Sequence, residues 1–378
     1  MRDRMNVKKL YRAVAAGLLM AGALWGSAGA ADPADPAVMG KVVRFPMKHI
    51  AMKDPVDTGT LIFSDSPEYP ERPGILYGDK VSGDCRVYFY HMNQSWETCN
   101  VVVMAYNPAD EPVDAVVKGC QYARPSSSIY SVGKTLSMMY YEGDETIHTV
   151  SVPAHGYALL GERLDHVVIW RGQLFSGIVD VELPSPMYVS TIMVPSEEDP
   201  IAFVQKQIYL PSDSVKLRGT FTGKDREWDA LFSYAPKDGP AYIKVGGEDD
   251  RYLVGRDVMD NRLSVNVGNY GVEYRIGLRT KGKGDLHLYF NPQGGEYAGV
   301  MEVTYNQGKK DEVRKIVELP PHALSIGKED VYSMQYVDTF KAGTDMNIRF
   351  MPPGAANLPV RFIIVPDEDL RSIVGEAK

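Results

Sequence analysis

One sequence motif occurs twice in the chain, and this repeat constrains the fold more than any other feature. The segments SGDCRVYFY (82–90) and KGDLHLYFN (283–291) align without a gap at an offset of 201 residues. A second pair, VPAHGYALLGE (152–162) and LPPHALSIGKE (319–329), aligns at an offset of 167 residues, so the first copy holds about 34 additional residues. Self-similarity of this kind indicates duplication of one structural module. We therefore expect two related modules, the first of which carries an insertion.

Both copies consist of short segments rich in β-branched and aromatic residues, with turn residues between them. CNVVVMAY and VDAVVKG flank the turn NPADEP in the first copy, and GVMEVTYN and EVRKIVEL repeat this pattern in the second. Such segments are typical of antiparallel strands, and an open sheet of them would leave an apolar face uncovered. The sequence predicts an all-β fold of two tandem β-sandwich domains, 41–199 and 200–378, with one helix inserted in the first at about 119–152.

The turn GNYG (268–271) of the second copy aligns with PEYP (67–70) of the first. Proline has φ fixed near −65°, so a position that holds proline in one copy is not expected to need positive φ in the other. We therefore predict a sheet corner without glycine-specific geometry, and not a phosphate-binding loop.

The N-terminal segment has the three parts of a secretory signal peptide. Its basic residues are Arg2, Arg4, Lys8, Lys9 and Arg12. An apolar run (13–25) and the small-residue sequence AGA (28–30) follow. The run is shorter than the roughly 20 residues of a membrane-spanning helix, which favours cleavage over the alternative of an uncleaved anchor. We expect a signal peptide over 1–30, a flexible linker over 31–40, and export to the extracellular space or cell envelope (the periplasm of a two-membrane cell) without a membrane span.

The charge of the mature chain argues against one class of partner. Without residues 1–30 it holds 36 basic and 48 acidic side chains, a net charge of about −12. This charge opposes binding to phosphate backbones, so we expect no nucleic-acid partner. A protein or a glycan remains as the expected partner, and the composition does not predict the oligomeric state.

The insertion has the only clear helical periodicity in the chain. Its apolar residues Ile129, Val132, Leu136 and Met139 share one face at a spacing of 3.6 residues. That pattern places Met138 and Tyr141 at the edge of this face or outside it, beside Tyr140. Two alternatives remain open for Met138, Tyr140 and Tyr141: a partner-binding surface, or a helix that only plugs the end of a sandwich.

No constellation of catalytic or metal-binding residues is evident. Ser131 and Lys134 match the S-x-x-K motif of serine β-lactamases, but its companion motifs are absent and the surrounding sequence predicts strands. The seven histidines do not occur at the spacing of metal ligands. We therefore expect no catalytic residue, no metal and no cofactor, although a carboxylate pair brought together by the fold could still serve glycoside hydrolysis.

The three cysteines, Cys85, Cys99 and Cys120, all lie in the first copy. If NPADEP forms a hairpin turn, Cys99 and Cys120 face each other, and export permits a disulfide between them. The alternative is that all three are reduced and buried.

Exposed aromatic residues are the remaining candidates for binding. Trp96 and Trp170 lie in segments that resemble loops, where aromatic faces bind sugars and partner proteins. The sequence thus predicts an exported, non-catalytic binding or structural protein of the envelope or extracellular space. The alternative is a carbohydrate-active enzyme or glycan-binding module that uses Trp96, Trp170 and acidic loop residues.

The run LRGTFTGKDREWDALFSY and the later GVEYRIGLRTKGKGDLHLYFNPQGGEYAGVMEV, within 217–303, show one resemblance. They are similar to β-rich modules in exported proteins of Firmicutes-like bacteria, which often accompany stalk domains or domains resembling the N-terminal part of copper amine oxidases. The resemblance implies an exported β-rich protein, and it implies no activity and no catalytic residue.

Overall fold

The computed structural model describes residues 31–375 apart from 144–146, 162, 207 and 329. The predicted signal peptide, 1–30, lies outside the described residues. The described residues form nineteen strands and four helices, which confirms the all-β class and the helix inserted in the first repeat. The helices are α1 Pro36–Val42, α2 Ile129–Glu142, α3 Pro200–Val204 and α4 Asp367–Val374.

The strands of the first repeat are β1 Lys48–His49, β2 Val56–Ser64, β3 Gly74–Met92, β4 Cys99–Tyr106, β5 Val113–Tyr122, β6 His148–Val152, β7 Tyr157–Leu159 and β8 Leu174–Pro195. Those of the second are β9 Arg218–Asp229, β10 Ala241–Val245, β11 Val254–Asp257, β12 Arg262–Val265, β13 Glu273–Leu278, β14 Asp285–Pro292, β15 Gly299–Tyr305, β16 Val313–Leu319, β17 Gln335–Lys341, β18 Met346–Phe350 and β19 Val360–Pro366.

Two long strands, β3 and β8, form the sandwich of the first repeat. They pair antiparallel along almost their whole length, but the register shifts beside Gly83, whose φ is +77°. The segment 184–186 of β8, Pro-Ser-Pro, lies at the same level of the pair. On one side of this shift β8 pairs with β4, and on the other it pairs with β5. Each long strand thus contributes to two layers, and buried side chains such as Val103 and Val179 form their common core.

In the second repeat, the two strands on either side of the equivalent glycine lie in different sheets. Gly284, with φ of +115°, precedes β14, whereas β13 ends six residues earlier. β14 lies in a five-stranded sheet of order β1-β10-β19-β14-β17, and β13 belongs to the large sheet. Apolar side chains of both sheets, among them Phe362 and Ile276, form the largest core. The glycine that both motifs share is therefore the point at which the chain passes from one layer to the other.

The two repeats are joined by strand pairing. β9 of the second repeat pairs antiparallel with β2 of the first and parallel with β13. A fourteen-stranded sheet consequently extends through both repeats, in the order β16-β15-β18-β13-β9-β2-β3-β8-β4-β7, with β5, β6, β11 and β12 attached beside it. The division at 199/200 remains a prediction.

A belt of alternating charges crosses the large sheet from one repeat to the other. This charged belt consists of Asp84, Arg86, Lys118, Asp180, Glu182, Lys224, Asp225, Glu227, Glu273, Arg275, Glu302, Arg314 and Arg349, which are linked by ion pairs. Its centre is the fully buried Arg86. Gly59 in β2 leaves room for Lys224, since a Cβ at that glycine would lie 2.8 Å from the Lys224 Cγ atom. The belt therefore depends on a bulge in β2 at the junction of the repeats.

Helix α2 covers this belt and contacts both repeats. The Tyr140 hydroxyl accepts a hydrogen bond of 2.7 Å from Arg86, and the Tyr141 carbonyl accepts one of 2.9 Å from Arg314. Gly133 approaches the second repeat so closely that a Cβ would lie 2.6 Å from the Gly354 carbonyl oxygen. The helix is thus held between the repeats by polar contacts as well as apolar ones.

The predicted orientation of α2 is wrong by about one residue. Val132 and Leu136 are buried as expected, but Met139 is 45% exposed and Tyr141 is 4% exposed. The buried face includes Gly133 and Ser137, whose small side chains allow close approach to the sheet. A face predicted from hydrophobic residues alone leaves out Gly133 and Ser137. The prediction therefore places Tyr141 at the edge of the buried face, although it is buried.

Two further expectations need correction. Residues 36–40 are part of α1 and not a linker, because the Asp35 carboxylate caps the helix through the Ala37 N–H at 2.7 Å. The turn GNYG does have glycine-specific geometry, with φ of +110° at Gly268 and +76° at Gly271. It joins β12 to β13, so its expected position at a sheet corner agrees with the structure. The turn at 67–70 is built differently, and the alignment with it was misleading.

Candidate functional site

A row of three tyrosines crosses three neighbouring strands on an outer face of the first repeat, and a lysine continues the row on a fourth strand. In register, Lys80 of β3 lies opposite Tyr188 of β8, Tyr188 opposite Tyr106 of β4, and Tyr106 opposite Tyr157 of β7. The ring centroids of Tyr106 and Tyr157 are 4.8 Å apart, and those of Tyr106 and Tyr188 are 6.2 Å apart. Side chains that face each other on adjacent strands point to the same side of a sheet. The three rings thus form one aromatic surface, the tyrosine row.

Small side chains beside the tyrosine row create a cleft. The next row on the same face contains Gly78 and Ser190, and a Cβ at Gly78 would lie 2.3 Å from the Ser190 Oγ atom. Tyr209, which is 58% exposed, and Val258 also line this cleft. The cleft has a volume of about 560 Å³, which lies within the range of roughly 300–1,000 Å³ for ligand sites.

The polar groups of this cleft lie beside its aromatic rings. The ammonium group of Lys80 lies 5.6 Å from the centre of the Tyr188 ring, and Asp79 is the one carboxylate among the described lining residues. Burial, together with the neighbouring Tyr106, raises the pKa of Tyr157, so its phenol stays neutral and can donate a hydrogen bond. Glycoside hydrolysis ordinarily needs two carboxyl groups that flank the bond. The cleft can thus hold the flat face of a ring and hydrogen-bond its edges.

Sequence reasoning missed the tyrosine row. Tyr106, Tyr157 and Tyr188 are far apart along the chain, and each reads as an ordinary strand residue. The row exists because β8, β4 and β7 are neighbours in the sheet. No short stretch of the sequence shows that these three strands are neighbours. The only available signal was the high tyrosine content, 23 residues.

The structure places Trp96 and Trp170 together at a different end of the first repeat. Trp96 is 88% exposed, and the Arg171 guanidinium lies 3.6 Å from the centre of its ring. The two loops are connected by a hydrogen bond of 2.7 Å from the Gly172 N–H to the Asn93 carbonyl. A shallow cleft at Trp96 shares no lining residue with the tyrosine cleft. The prediction that these tryptophans are exposed on loops agrees with the structure.

The residues predicted on α2 do not form an outward surface. Tyr141 is buried, Tyr140 is occupied by its bond to Arg86, and Met138 is only partly exposed. Burial raises the pKa of both tyrosines well above the ordinary value, so both phenols stay neutral. This arrangement corresponds to the structural plug that was the alternative for the insertion.

The predicted disulfide between Cys99 and Cys120 is wrong. NPADEP does not form a hairpin, because β4 and β5 pair with successive parts of β8 and not with each other. Cys99 therefore faces Pro195, while Cys120 faces Val179, further back along β8. All three cysteines are free, and Cys85 and Cys99 are buried. Burial raises the pKa of the Cys120 thiol to about 11.

We expect the thiols to report this arrangement directly. After unfolding without reductant, all three cysteines should be alkylated, since none is paired. In the folded protein, Cys120 should react with a maleimide before the two buried thiols. Peptide mass analysis measures both results, and a linked Cys99–Cys120 peptide would contradict the structure.

The S-x-x-K motif is not arranged for catalysis. The Lys134 ammonium lies 2.9 Å from Glu318 and donates to the carbonyl oxygens of Pro320 and Ala323. It is therefore engaged as a cation and is not a free base for Ser131. Among the described residues, no group of three or more His, Cys, Asp or Glu side chains could hold a metal ion. The same part of the chain contains no helix long and apolar enough to span a membrane.

Comparisons with known proteins leave the function open. No protein-family model matches the chain, and no curated protein matches it. A CBM22 tandem domain of Xyn10C from Paenibacillus barcinonensis shares 10% identity over 82% of this chain and 99% of that one, with a TM-score of 0.18. Vicilin from Capsicum annuum (10% identity, 73% and 74% coverage) has a TM-score of 0.12. The multicopper oxidase mgLAC (11% identity, 82% and 79% coverage) has one of 0.14. Similarities this low carry no argument.

Proposed function

We propose that this chain is an exported, non-catalytic glycan-binding protein of the cell envelope or extracellular space. The observation that carries the proposal is the tyrosine row, which lies in a cleft with polar groups at its border. Export rests on the signal-peptide pattern of residues 1–30, and the acidic mature chain argues against nucleic acid as the ligand.

The chemistry of the cleft favours a sugar over an extended peptide. Sugar rings have flat C–H faces that pack on aromatic rings and hydroxyl edges that need hydrogen bonds. Tyr106, Tyr157 and Tyr188 supply such faces in one continuous surface. Ser190 and Lys80 supply polar groups within the same cleft. A peptide that added to a sheet would need a free strand edge, whereas this cleft is formed on a sheet face.

Trp96 and Trp170 form the rival glycan surface. Both are exposed, but the face of Trp96 is already occupied by Arg171, which lies 3.6 Å from its centre. A sugar would have to displace this guanidinium or use the opposite face of the indole. The tyrosine row presents three rings and is the better candidate.

Substitution of Tyr106 or Tyr188 by alanine should weaken glycan binding by about tenfold or more, which corresponds to about 1.4 kcal/mol. The reason is that each change removes one ring from the stacking surface. A glycan array with the mature protein identifies a ligand, and titration calorimetry with that ligand measures the loss. Thermal unfolding of each variant shows whether the fold is retained.

Trp96→Ala and Trp170→Ala are the matched controls, since each removes an exposed aromatic ring outside the cleft. Both should bind like the wild type. Loss of binding in Trp96→Ala with full binding in Tyr188→Ala would assign the glycan to the loop end and overturn the cleft as the site. A wild-type protein that binds no glycan would overturn the proposed function itself.

A further inference from the structure

The tyrosine row runs across the strands and not along one strand. Tyr188, Tyr106 and Tyr157 belong to β8, β4 and β7, which are neighbours in the sheet. Neighbouring strands lie about 4.8 Å apart, which is close to the length that one pyranose residue adds to an extended glycan chain. The distances between successive ring centres, 6.2 and 4.8 Å, are of this size. The rings of the row are therefore spaced like successive sugar residues of such a chain.

Each ring of the row offers its own contact surface. The planes of the Tyr106 and Tyr157 rings differ by 42°, and those of the Tyr106 and Tyr188 rings by 45°. Because the three rings do not lie in one plane, a single rigid sugar residue cannot lie flat on two of them. A ligand whose residues turn about the bonds between them can lie on all three. The geometry thus favours a chain of sugar residues over a single sugar.

The row has a defined length. β7 is the last strand on this side of the large sheet, so no further strand in the described part of the chain continues the row beyond Tyr157. At the other end, β3 contributes Lys80 in place of an aromatic residue, and its ammonium group lies 5.6 Å from the centre of the Tyr188 ring. The row therefore offers stacking surfaces for three consecutive sugar residues.

We propose that the cleft binds three consecutive residues of an extended, β-1,4-linked glycan, one on each tyrosine. This inference rests on the proposed function and adds the class of glycan to it. A β-1,4 linkage keeps pyranose rings in an extended chain, which can follow a row of side chains across neighbouring strands. An α-1,4 linkage curves the chain, so that its later residues leave the row.

The dependence of affinity on chain length tests this assignment. Titration calorimetry is carried out on the mature protein with cello-, chito- and malto-oligosaccharides, each from the monosaccharide to the pentasaccharide. In at least one β-1,4 series, each added residue up to the trisaccharide should raise the association constant about three- to tenfold, because it covers one more ring. Further residues should raise it less than about twofold, since no fourth ring follows. The α-1,4-linked malto series should show no gain beyond the disaccharide.

Variants of the row should change the length at which this gain stops. Tyr157→Ala and Tyr188→Ala each remove an end ring, so the gain should stop at the disaccharide. Tyr157→Phe keeps the ring and should retain the gain up to the trisaccharide. Tyr209→Ala is the matched control, because Tyr209 lines the same cleft outside the row, and it should also retain this gain. The stopping point separates the loss of one stacking surface from a general weakening of binding.

The outcomes distinguish this inference from the proposed function. If a monosaccharide binds as tightly as its trisaccharide and Tyr188→Ala still weakens binding, the cleft is a glycan site for one residue, and only this inference fails. A gain that continues to the pentasaccharide, or an equal gain in the malto series, would overturn the assignment of three residues of an extended chain. A gain up to the trisaccharide in both Tyr157→Ala and Tyr188→Ala would also overturn it. If no glycan binds at all, the proposed function itself fails, and this inference fails with it.

Discussion

Replacing Arg86 with methionine is expected to lower the free energy of unfolding by about 3–5 kcal/mol. Arg86 is 1% exposed and pairs with both oxygens of Asp180, at 2.9 and 3.2 Å. It also donates to the carbonyl oxygens of Lys224 and Gly271 and to the Tyr140 hydroxyl. Methionine fills a similar volume but leaves these acceptors buried without their donors. Urea unfolding of the variant and the wild type measures the difference.

A matched surface pair tests whether burial causes this effect. Lys309 lies 2.8 Å from Asp345, and both side chains are largely hydrated, so Lys309→Met should cost less than about 1 kcal/mol. Adding Asp180→Leu to Arg86→Met should recover part of the loss, because it removes the uncompensated carboxylate. If Arg86→Met loses no more stability than Lys309→Met, burial of the ion pair between Arg86 and Asp180 does not stabilise the fold more than a surface pair does.

The layer architecture was predictable because each copy of the repeated motif contains the glycine at which the chain changes layers. The motif S/K-G-D places a glycine at 83 and at 284, and both adopt positive φ where the chain changes layers. Period-two patterns on either side then define the strands. The junction was not predictable, because β2 and β9 pair across about 160 residues of chain without a shared turn.

The charged belt was not predicted, because charged residues in a strand are ordinarily interpreted as solvent-exposed. The run GKDREWD (223–229) is typical of a solvated strand, yet Lys224, Asp225 and Arg226 are all buried. Charges can be buried in this way only when partners from other strands neutralise them. Arg226, for example, pairs with Asp57 and Asp250, which come from separate parts of the chain. A single sequence does not show such partners, and it therefore does not show which charged strands are covered.

For the candidate sites as well, the features that depend on a short stretch of sequence were predicted, and those that depend on contacts between distant strands were not. Exposure of Trp96 followed from a local loop pattern, and the structure agrees. The tyrosine row depends on three strands, β8, β4 and β7, that lie in register although they are separated along the chain. The disulfide prediction was wrong for this reason, since two consecutive strands did not form a hairpin.

The second large effect concerns His91, whose burial should make the protein less stable as the pH falls. The ring is 1% exposed, with Nδ1 2.8 Å from the Pro67 carbonyl and Nε2 2.9 Å from the Ser64 hydroxyl. The carbonyl can only accept, so the neutral ring donates from Nδ1 and accepts at Nε2. Burial in the first place, and the neighbouring Arg218 cation as well, lower the pKa of His91 to about 4. The folded protein therefore keeps this ring neutral at a pH where the unfolded chain binds a proton.

The sign of the effect follows from proton linkage. Between the unfolded pKa of about 6.5 and the folded pKa of about 4, the unfolded state binds more protons, so the free energy of unfolding falls with falling pH, by about 3 kcal/mol in total. Asp65 acts in the opposite direction, because burial first, then Glu68 and Asp213, raise its pKa and the folded state takes up its proton. The contribution of His91 is thus isolated only by comparison with a variant that lacks the imidazole.

His91→Asn is the appropriate variant, because its amide can still donate to the Pro67 carbonyl while it does not titrate. Urea unfolding from about pH 7 to about pH 4 should give this variant a shallower loss of stability than the wild type, by about 3 kcal/mol over the range. His166→Asn, which removes an exposed imidazole, provides the comparison at the surface. Equal pH dependence in the wild type and His91→Asn would mean that the folded ring binds a proton as readily as the ring of the unfolded chain. In that case Nε2 would donate to the Ser64 hydroxyl, and the buried neutral pair described above would be incorrect.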